Sequence, residues 1–140
     1  PHSLEIGRGE LLRPGKEVMI LAVGSLLTPA LRAAEEMEQE SLSSIGVINA
    51  RFIKPLPEKE ILDAVQSCSK LLILEENTLA GGFGSAVLEY LNDHCLMSGL
   101  TVKRIGLPDR FIEHGPVARL HQQVGVDVPG IKEGLKELLD

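Results

Sequence analysis

The chain has 140 residues, a formal net charge of −6 and 44% hydrophobic residues, but aromatic residues make up only 3% and tryptophan is absent. This length suits one domain with an aliphatic core. The acidic balance argues against nucleic acid or an anionic membrane as partner, because both attract clustered lysine and arginine. No apolar run approaches the ~20 residues that a membrane-spanning helix needs.

The start of the chain and its cysteines indicate the cellular compartment of the protein. Residues 1–3 include no initiator methionine, which we interpret as the start of a piece of a longer protein. They also lack the basic and apolar stretches of a signal peptide. Cys68 and Cys95 have no zinc-ligand spacing, and we interpret both as small hydrophobic residues in a reducing compartment. We therefore expect a cytoplasmic protein.

The first third of the chain predicts a lead-in and one strand followed by a helix. Residues 1–15 are a lead-in with a short edge strand near its end, and the domain proper is predicted to span 16–140. Glu17–Val23 predicts a buried strand. A helix follows near Thr28, whose hydroxyl suits the cap, and Pro29 suits the first turn. The inward positions of this helix are Ala30, Ala33, Ala34 and Met37.

A second strand and helix follow the same plan. Ile45–Asn49 predicts a short strand, and Pro57 suits the first turn of the next helix. The inward positions of this helix are Ile61, Ala64, Val65 and Cys68.

The stretch from Leu71 to Leu91 organises the chain. Leu71–Leu74 predicts a strand buried on both faces, and Glu75–Asn77 is interpreted as the point where it leaves the sheet. A turn containing Gly81, Gly82 and Gly84 opens the next helix. The inward positions of that helix are Gly84, Val87, Leu88 and Leu91.

The last third predicts one more strand, a long loop and two helices. Leu100–Ile105 alternates, as expected near a sheet edge. A loop at Gly106–Gly115, a short helix at Pro116–Gln123 and a final helix from about Pro129 follow. The inward positions of the final helix are Ile131, Leu135, Leu138 and Leu139. The alternating elements predict a three-layer α/β/α sandwich with a mostly parallel sheet of about five strands.

The glycine turn and the nearby acidic residues are the candidate functional features. Gly82 and Gly84 match the start of a dinucleotide fingerprint, but Val87 stands at the third glycine position. Glu75 and Glu76 precede the turn and would repel phosphate, so close backbone packing or a domain contact is the favoured interpretation. Adjacent strand residues point oppositely, so one carboxylate is expected to bind the turn amides and the other to face a partner.

The other polar residues do not complete an active site. His114, near Arg110, suits a general base or an anion contact, but a hydrogen-bonded surface histidine is the favoured interpretation. We find no nucleophile with a matching base and no metal-ligand cluster in the sequence.

Three motifs carry a resemblance to a known family. They are RFIKPL at 51–56, EEN at 75–77 with GGFGS at 81–85, and GLPDRFIEHG at 106–115. In this order they resemble the C-terminal domain of the 1-deoxy-D-xylulose-5-phosphate synthases, which are transketolase-like thiamine enzymes. The similarity runs from about Gly15 to the end and includes residues 125–127. The glycine turn alone fits the wider group of transketolases and 2-oxoacid dehydrogenases, and the third motif narrows the resemblance to the synthases.

The resemblance implies an activity for a longer protein. Such synthases condense pyruvate with glyceraldehyde 3-phosphate, with loss of carbon dioxide, for isoprenoid, thiamine and pyridoxal biosynthesis. Their thiamine diphosphate and magnesium ion lie in the N-terminal and pyrimidine-binding domains, which are the partners that the resemblance implies, together with a second copy in a homodimer. No catalytic, cofactor-binding or metal-binding residue is expected in this chain, and alone it is expected to be inactive. The interface candidates are Glu75, Glu76, Asn77, Gly81, Gly82, Arg110 and His114.

Two other interpretations remain open. One is a stand-alone α/β binding or regulatory module that uses the same sheet edge. The other is the β subunit of a 2-oxoacid dehydrogenase, which shares the fold but is not expected to carry the segment at 106–115.

Overall fold

The computed structural model describes residues 6–51, 55–78, 82–107 and 127–140. In these ranges the strands are β1 Glu10–Arg13, β2 Val18–Ala22, β3 Ile45–Asn49, β4 Lys70–Thr78 and β5 Thr101–Leu107, and the α-helices are α1 Leu27–Ser41, α2 Glu58–Ser67, α3 Phe83–Asp93 and α4 Val128–Leu139. The strands form one sheet in the order β1-β3-β2-β4-β5, in which β1 is antiparallel to β3 and the remaining pairs are parallel. The predicted three-layer fold is confirmed.

Two aliphatic clusters lie on opposite faces of the sheet. Strand residues alternate between the faces, so Ile20 and Leu72 belong to one cluster while Leu21 and Ile73 belong to the other. The first cluster also contains the buried hydrophobic side chains of α1 and α4, and the second contains those of α2 and α3. The central strands are therefore buried on both faces, as their apolar runs predict.

The carboxyl ends of β4 and β5 differ from the sequence prediction. Glu75–Asn77 does not leave the sheet, because β4 continues to Thr78: Glu75 pairs with Gly106 and Thr78 with Leu107 on β5, with an irregularity in the register between these two pairs. Gly106 and Leu107 are correspondingly the last residues of β5 and not the start of a loop. Pairing along a neighbouring strand extends the backbone regardless of how polar the side chains are.

The helix starts also correct one prediction. A 3-10 turn at Gly24–Leu26 leads directly into α1, and Leu26 occupies the cap position without a side-chain hydrogen bond, so the predicted Thr28 cap is wrong. By contrast α4 has a side-chain cap, because Oδ1 of Asp127 accepts from the backbone N–H of Gly130 at 3.0 Å. The helix predicted at 116–123 lies outside the described residues.

The lead-in segment is bound to the domain through Glu60. This side chain is buried, and its two oxygens accept hydrogen bonds from the backbone N–H of Gly9 at 2.7 Å and from Nε of Arg8 at 2.9 Å. Together with the pairing of β1 and β3, these bonds attach residues 8–13 to both α2 and the sheet. Within the ranges given above, no helix has the length and apolar content to cross a bilayer.

The two cysteines occupy different environments. Both cysteines are free; Cys68 is buried and its Sγ lies 3.3 Å from the carbonyl oxygen of Gly15, whereas Cys95 is exposed. Burial raises the pKa of the Cys68 thiol, while a hydrogen bond from Ser67 acts in the opposite direction. The thiolate is the reactive form, so a raised pKa and burial both slow alkylation of Cys68.

We therefore expect iodoacetamide at pH 8 to alkylate Cys95 and to leave Cys68 unmodified until the chain unfolds. Peptide mass spectrometry after timed quenching measures both rates. Cys95→Ser is the control and should abolish the fast reaction. Equal rates at the two positions in the folded chain would contradict the structure.

Candidate functional site

Glu75 is a buried carboxylate at the carboxyl end of β4. Its side chain is 1% exposed. Ile73 and Leu71, two and four positions earlier, pack in the cluster on the side of α3, and alternation places Glu75 on the same face. Oε1 of Glu75 accepts a hydrogen bond from the backbone N–H of Gly84 at 3.0 Å. One of the two adjacent carboxylates therefore binds an amide of the glycine turn, as expected.

Arg104 on β5 completes this group of side chains. Its Nη2 lies 3.4 Å from Oε1 of Glu75 and donates to Oγ of Ser85 at 3.1 Å. We call Glu75, Gly84, Ser85 and Arg104 the Glu75 cluster. It joins the ends of β4 and β5 to the first turn of α3, where the positive end of the helix dipole favours a carboxylate.

Gly84 is a glycine because the cluster leaves no space for a side chain. A Cβ at this position would collide with Nε of Arg104 and would lie 2.7 Å from Oε1 of Glu75. Gly82, at the cap position of α3, has φ −89° and ψ −167°, an extended conformation that any residue adopts. Close packing therefore explains Gly84, and a left-handed backbone explains neither glycine.

The second oxygen of Glu75 is buried with no hydrogen-bond partner among the described residues. A buried acceptor without a donor costs ~1–3 kcal/mol, so the contacts of Oε1 must outweigh this cost. The carboxylate is thus committed to Gly84 and Arg104 and is not placed as a free acid or base. Within the described part of the chain, no three His, Cys, Asp or Glu side chains group together in a way that could hold a metal ion.

Arg51 is a third charged residue at the same edge of the sheet. It follows β3 with φ +61°, and its Nη2 lies 3.1 Å from Oε1 of Glu10. Its backbone N–H donates to Oδ1 of Asn49 at 3.1 Å. These contacts hold Arg51 at the carboxyl edge, where ligands and partners commonly meet a parallel sheet.

The remaining interface candidates have different positions. Glu76 and Asn77 lie in β4, and the backbone carbonyl of Gly82 accepts from the N–H of Ala86 at 3.2 Å. Gly81, Arg110 and His114 lie outside the described residues and stay predictions. Arg104 is not among the site residues predicted from the sequence. The sequence pattern that could have identified it is a basic residue in a strand, at a position that alternation assigns to the buried face.

Comparison with known proteins places the chain among transketolase-like sequences. A family model described as "Transketolase, C-terminal domain" matches residues 7–131. Two relatives named 1-deoxy-D-xylulose-5-phosphate synthase, from Oleidesulfovibrio alaskensis and Magnetococcus marinus, are 47% and 49% identical over 139 and 140 residues. Each alignment covers 99% of this chain and 22% of the relative. The chain therefore spans about a fifth of the length of these relatives.

Solved structures agree with the fold. A chain described as "Split gene transketolase, inactive beta4 tetramer" superimposes with a TM-score of 0.87 and 29% identity, covering 97% of this chain and 43% of that one. A 2-oxoglutarate:ferredoxin oxidoreductase from Magnetococcus marinus superimposes with a TM-score of 0.59 and 15% identity, covering 95% of this chain and 19% of that one, which shows the fold alone.

Proposed function

Because the chain belongs to the family of transketolase C-terminal domains, we propose that it acts as the C-terminal domain of a 1-deoxy-D-xylulose-5-phosphate synthase. The observation that carries this proposal is the alignment of nearly the whole chain with such a synthase at 47% identity. The whole protein condenses pyruvate with glyceraldehyde 3-phosphate in the cytoplasm, with loss of carbon dioxide. Its product feeds isoprenoid, thiamine and pyridoxal biosynthesis.

The cofactors of this reaction do not fit the described residues. Thiamine diphosphate supplies a carbanion equivalent and an electron sink when bound, and Mg²⁺ binds its diphosphate. A diphosphate at the amino terminus of α3 would meet the carboxylate of Glu75, which already accepts from Gly84. We therefore place both cofactors in the preceding domains, and we assign no chemical step to this chain.

We assign the chain a structural role at domain and subunit contacts. The carboxyl edge carries Arg51 and Arg104, whose side chains are 25% and 23% exposed and are held by ion pairs within the chain, so they present a fixed surface. Glu75 is buried beneath this edge and supports Arg104 from within. Assembly with further copies is supported by the split-gene transketolase, which is described as an inactive tetramer of four beta subunits. Arg110 and His114, from the GLPDRFIEHG segment, are proposed to contact another domain or the second copy in a homodimer.

A chimera tests this proposal. The C-terminal fifth of the Oleidesulfovibrio alaskensis synthase is replaced by this chain, and product formation is measured with both substrates, thiamine diphosphate and Mg²⁺. We expect activity within about tenfold of the parent synthase, because a domain that packs correctly restores the arrangement of the catalytic groups. The parent enzyme truncated before this domain is the control, and it should lose most of its activity.

The same experiment separates the alternatives. A stand-alone binding module, or a 2-oxoacid dehydrogenase β subunit, would leave the chimera as inactive as the truncated enzyme.

Calorimetry on the chain alone with thiamine diphosphate and Mg²⁺ tests the assignment of the cofactors. We expect no binding, and micromolar binding at one site per chain would contradict the assignment.

A further inference from the structure

We propose that the amino terminus of α3 forms an anion-binding site with Arg104 and Ser85, and that the resident ligand of this site is the carboxylate of Glu75. This inference concerns how the chain uses its own carboxylate and does not depend on which enzyme the chain belongs to.

The donors of the site come from two elements. The N–H of Gly84 belongs to the first turn of α3, an 11-residue helix whose early amides have no partner within the helix. Nη2 of Arg104 on β5 lies 3.4 Å from the oxygen that Gly84 contacts, and it also donates to the hydroxyl of Ser85. An amide and a guanidinium that converge on one oxygen suit an anion.

The ligand is present in the fold. Glu75 lies nine residues before Gly84 and is almost fully buried, and its Oε1 occupies the site at 3.0 Å from the amide nitrogen. Its Oε2 is buried with no hydrogen-bond partner among the described residues. A neutral acceptor could also accept the hydrogen bond from Gly84, and it would not bury a second, unpartnered carboxylate oxygen. We therefore infer that the negative charge of Glu75 is selected for its attraction to Arg104.

The available space limits the class of ligand. Because even a Cβ on Gly84 would collide with Arg104 and approach Oε1 of Glu75, the carboxylate lies directly against the backbone. A planar carboxylate fits this contact, whereas the larger tetrahedral head of phosphate does not. The site is therefore expected to prefer a small monocarboxylate when its own side chain is removed.

Chemical rescue of Glu75→Ala tests the proposal. The melting temperature of this variant is measured in sodium formate and in sodium chloride at the same ionic strength. Formate at 0.1 M should raise it by about 3–5 °C over chloride, since a ligand that binds only the folded state stabilises that state. Glu75→Gln is the matched control. Its amide fills the cavity, so neither this variant nor the parent chain should respond specifically to formate.

Two results would overturn the proposal. One is a Glu75→Ala variant whose melting temperature is the same in formate and in chloride, or which stays unfolded in both salts. The other is stabilisation by inorganic phosphate that exceeds stabilisation by formate. The double variant Glu75→Ala/Arg104→Ala adds an internal check, because loss of the guanidinium should abolish the specific effect of formate while the amide of Gly84 remains.

Discussion

Replacing Gly84 with alanine is expected to lower the melting temperature of the chain by about 10 °C. The new Cβ would collide with Nε of Arg104 and lie 2.7 Å from Oε1 of Glu75. Neither side chain can move aside without weakening its contacts, since both bind the first turn of α3. Overpacking of this kind costs about 3 kcal/mol at the upper end of its usual range. Differential scanning calorimetry measures the change directly.

Gly99→Ala is the matched control for this variant. Gly99 has φ +73°, but a Cβ there would meet nothing within 4 Å. Backbone strain without a clash costs about 1 kcal/mol, so the melting temperature should fall by only about 4 °C. If Gly84→Ala melted at or above the control, close packing would not explain the glycine turn.

Gly15→Ala is expected to destabilise the chain by about 3 kcal/mol or more. A Cβ on Gly15 would collide with the backbone nitrogen of Gly46 and lie 2.6 Å from the carbonyl carbon of Ile45. These are backbone atoms at the start of β3, which is paired with β2, so they cannot rotate away as a side chain would. The end of the lead-in is therefore packed against the sheet.

Urea denaturation measures the free energy of unfolding of Gly15→Ala. Gly46→Ala is a useful comparison, because its Cβ would meet the flexible end of Met19 as well as the nitrogen of Gly15. We expect Gly46→Ala to lower the free energy of unfolding by less than Gly15→Ala does. A free energy of unfolding for Gly15→Ala equal to that of the parent chain would show that this backbone contact does not form in solution.

The layers of the fold could be predicted because they depend on local spacing. The aliphatic runs of β2 and β4 indicate burial on both faces, and the stripe of Ala30, Ala33, Ala34 and Met37 indicates the inward face of α1. Each pattern can be detected within about ten residues. The order of the strands does not follow from the order of the chain, because β3 separates β1 from β2 and β2 separates β3 from β4 in the sheet.

The site could be predicted only in part. The expectation that one carboxylate binds the glycine turn needs only a short segment, because Glu75 and Gly84 are nine positions apart. The contact of Arg104 with Glu75 joins residues 29 apart and depends on the register of β4 and β5, which no local pattern specifies. The same limit applies to Glu60, whose partners Arg8 and Gly9 lie about fifty residues earlier.

The single-turnover rate of Glu75→Gln in the chimeric synthase tests most directly whether the carboxylate of Glu75 serves structure or chemistry. Glutamine keeps an acceptor for Gly84 and removes the charge that faces Arg104. We expect the melting temperature to fall while the single-turnover rate per assembled enzyme stays within about twofold of the unsubstituted chimera, because Glu75 is assigned no chemical step. A rate at least about 100-fold lower, with assembly and melting temperature unchanged, would contradict this assignment and make Glu75 a catalytic residue.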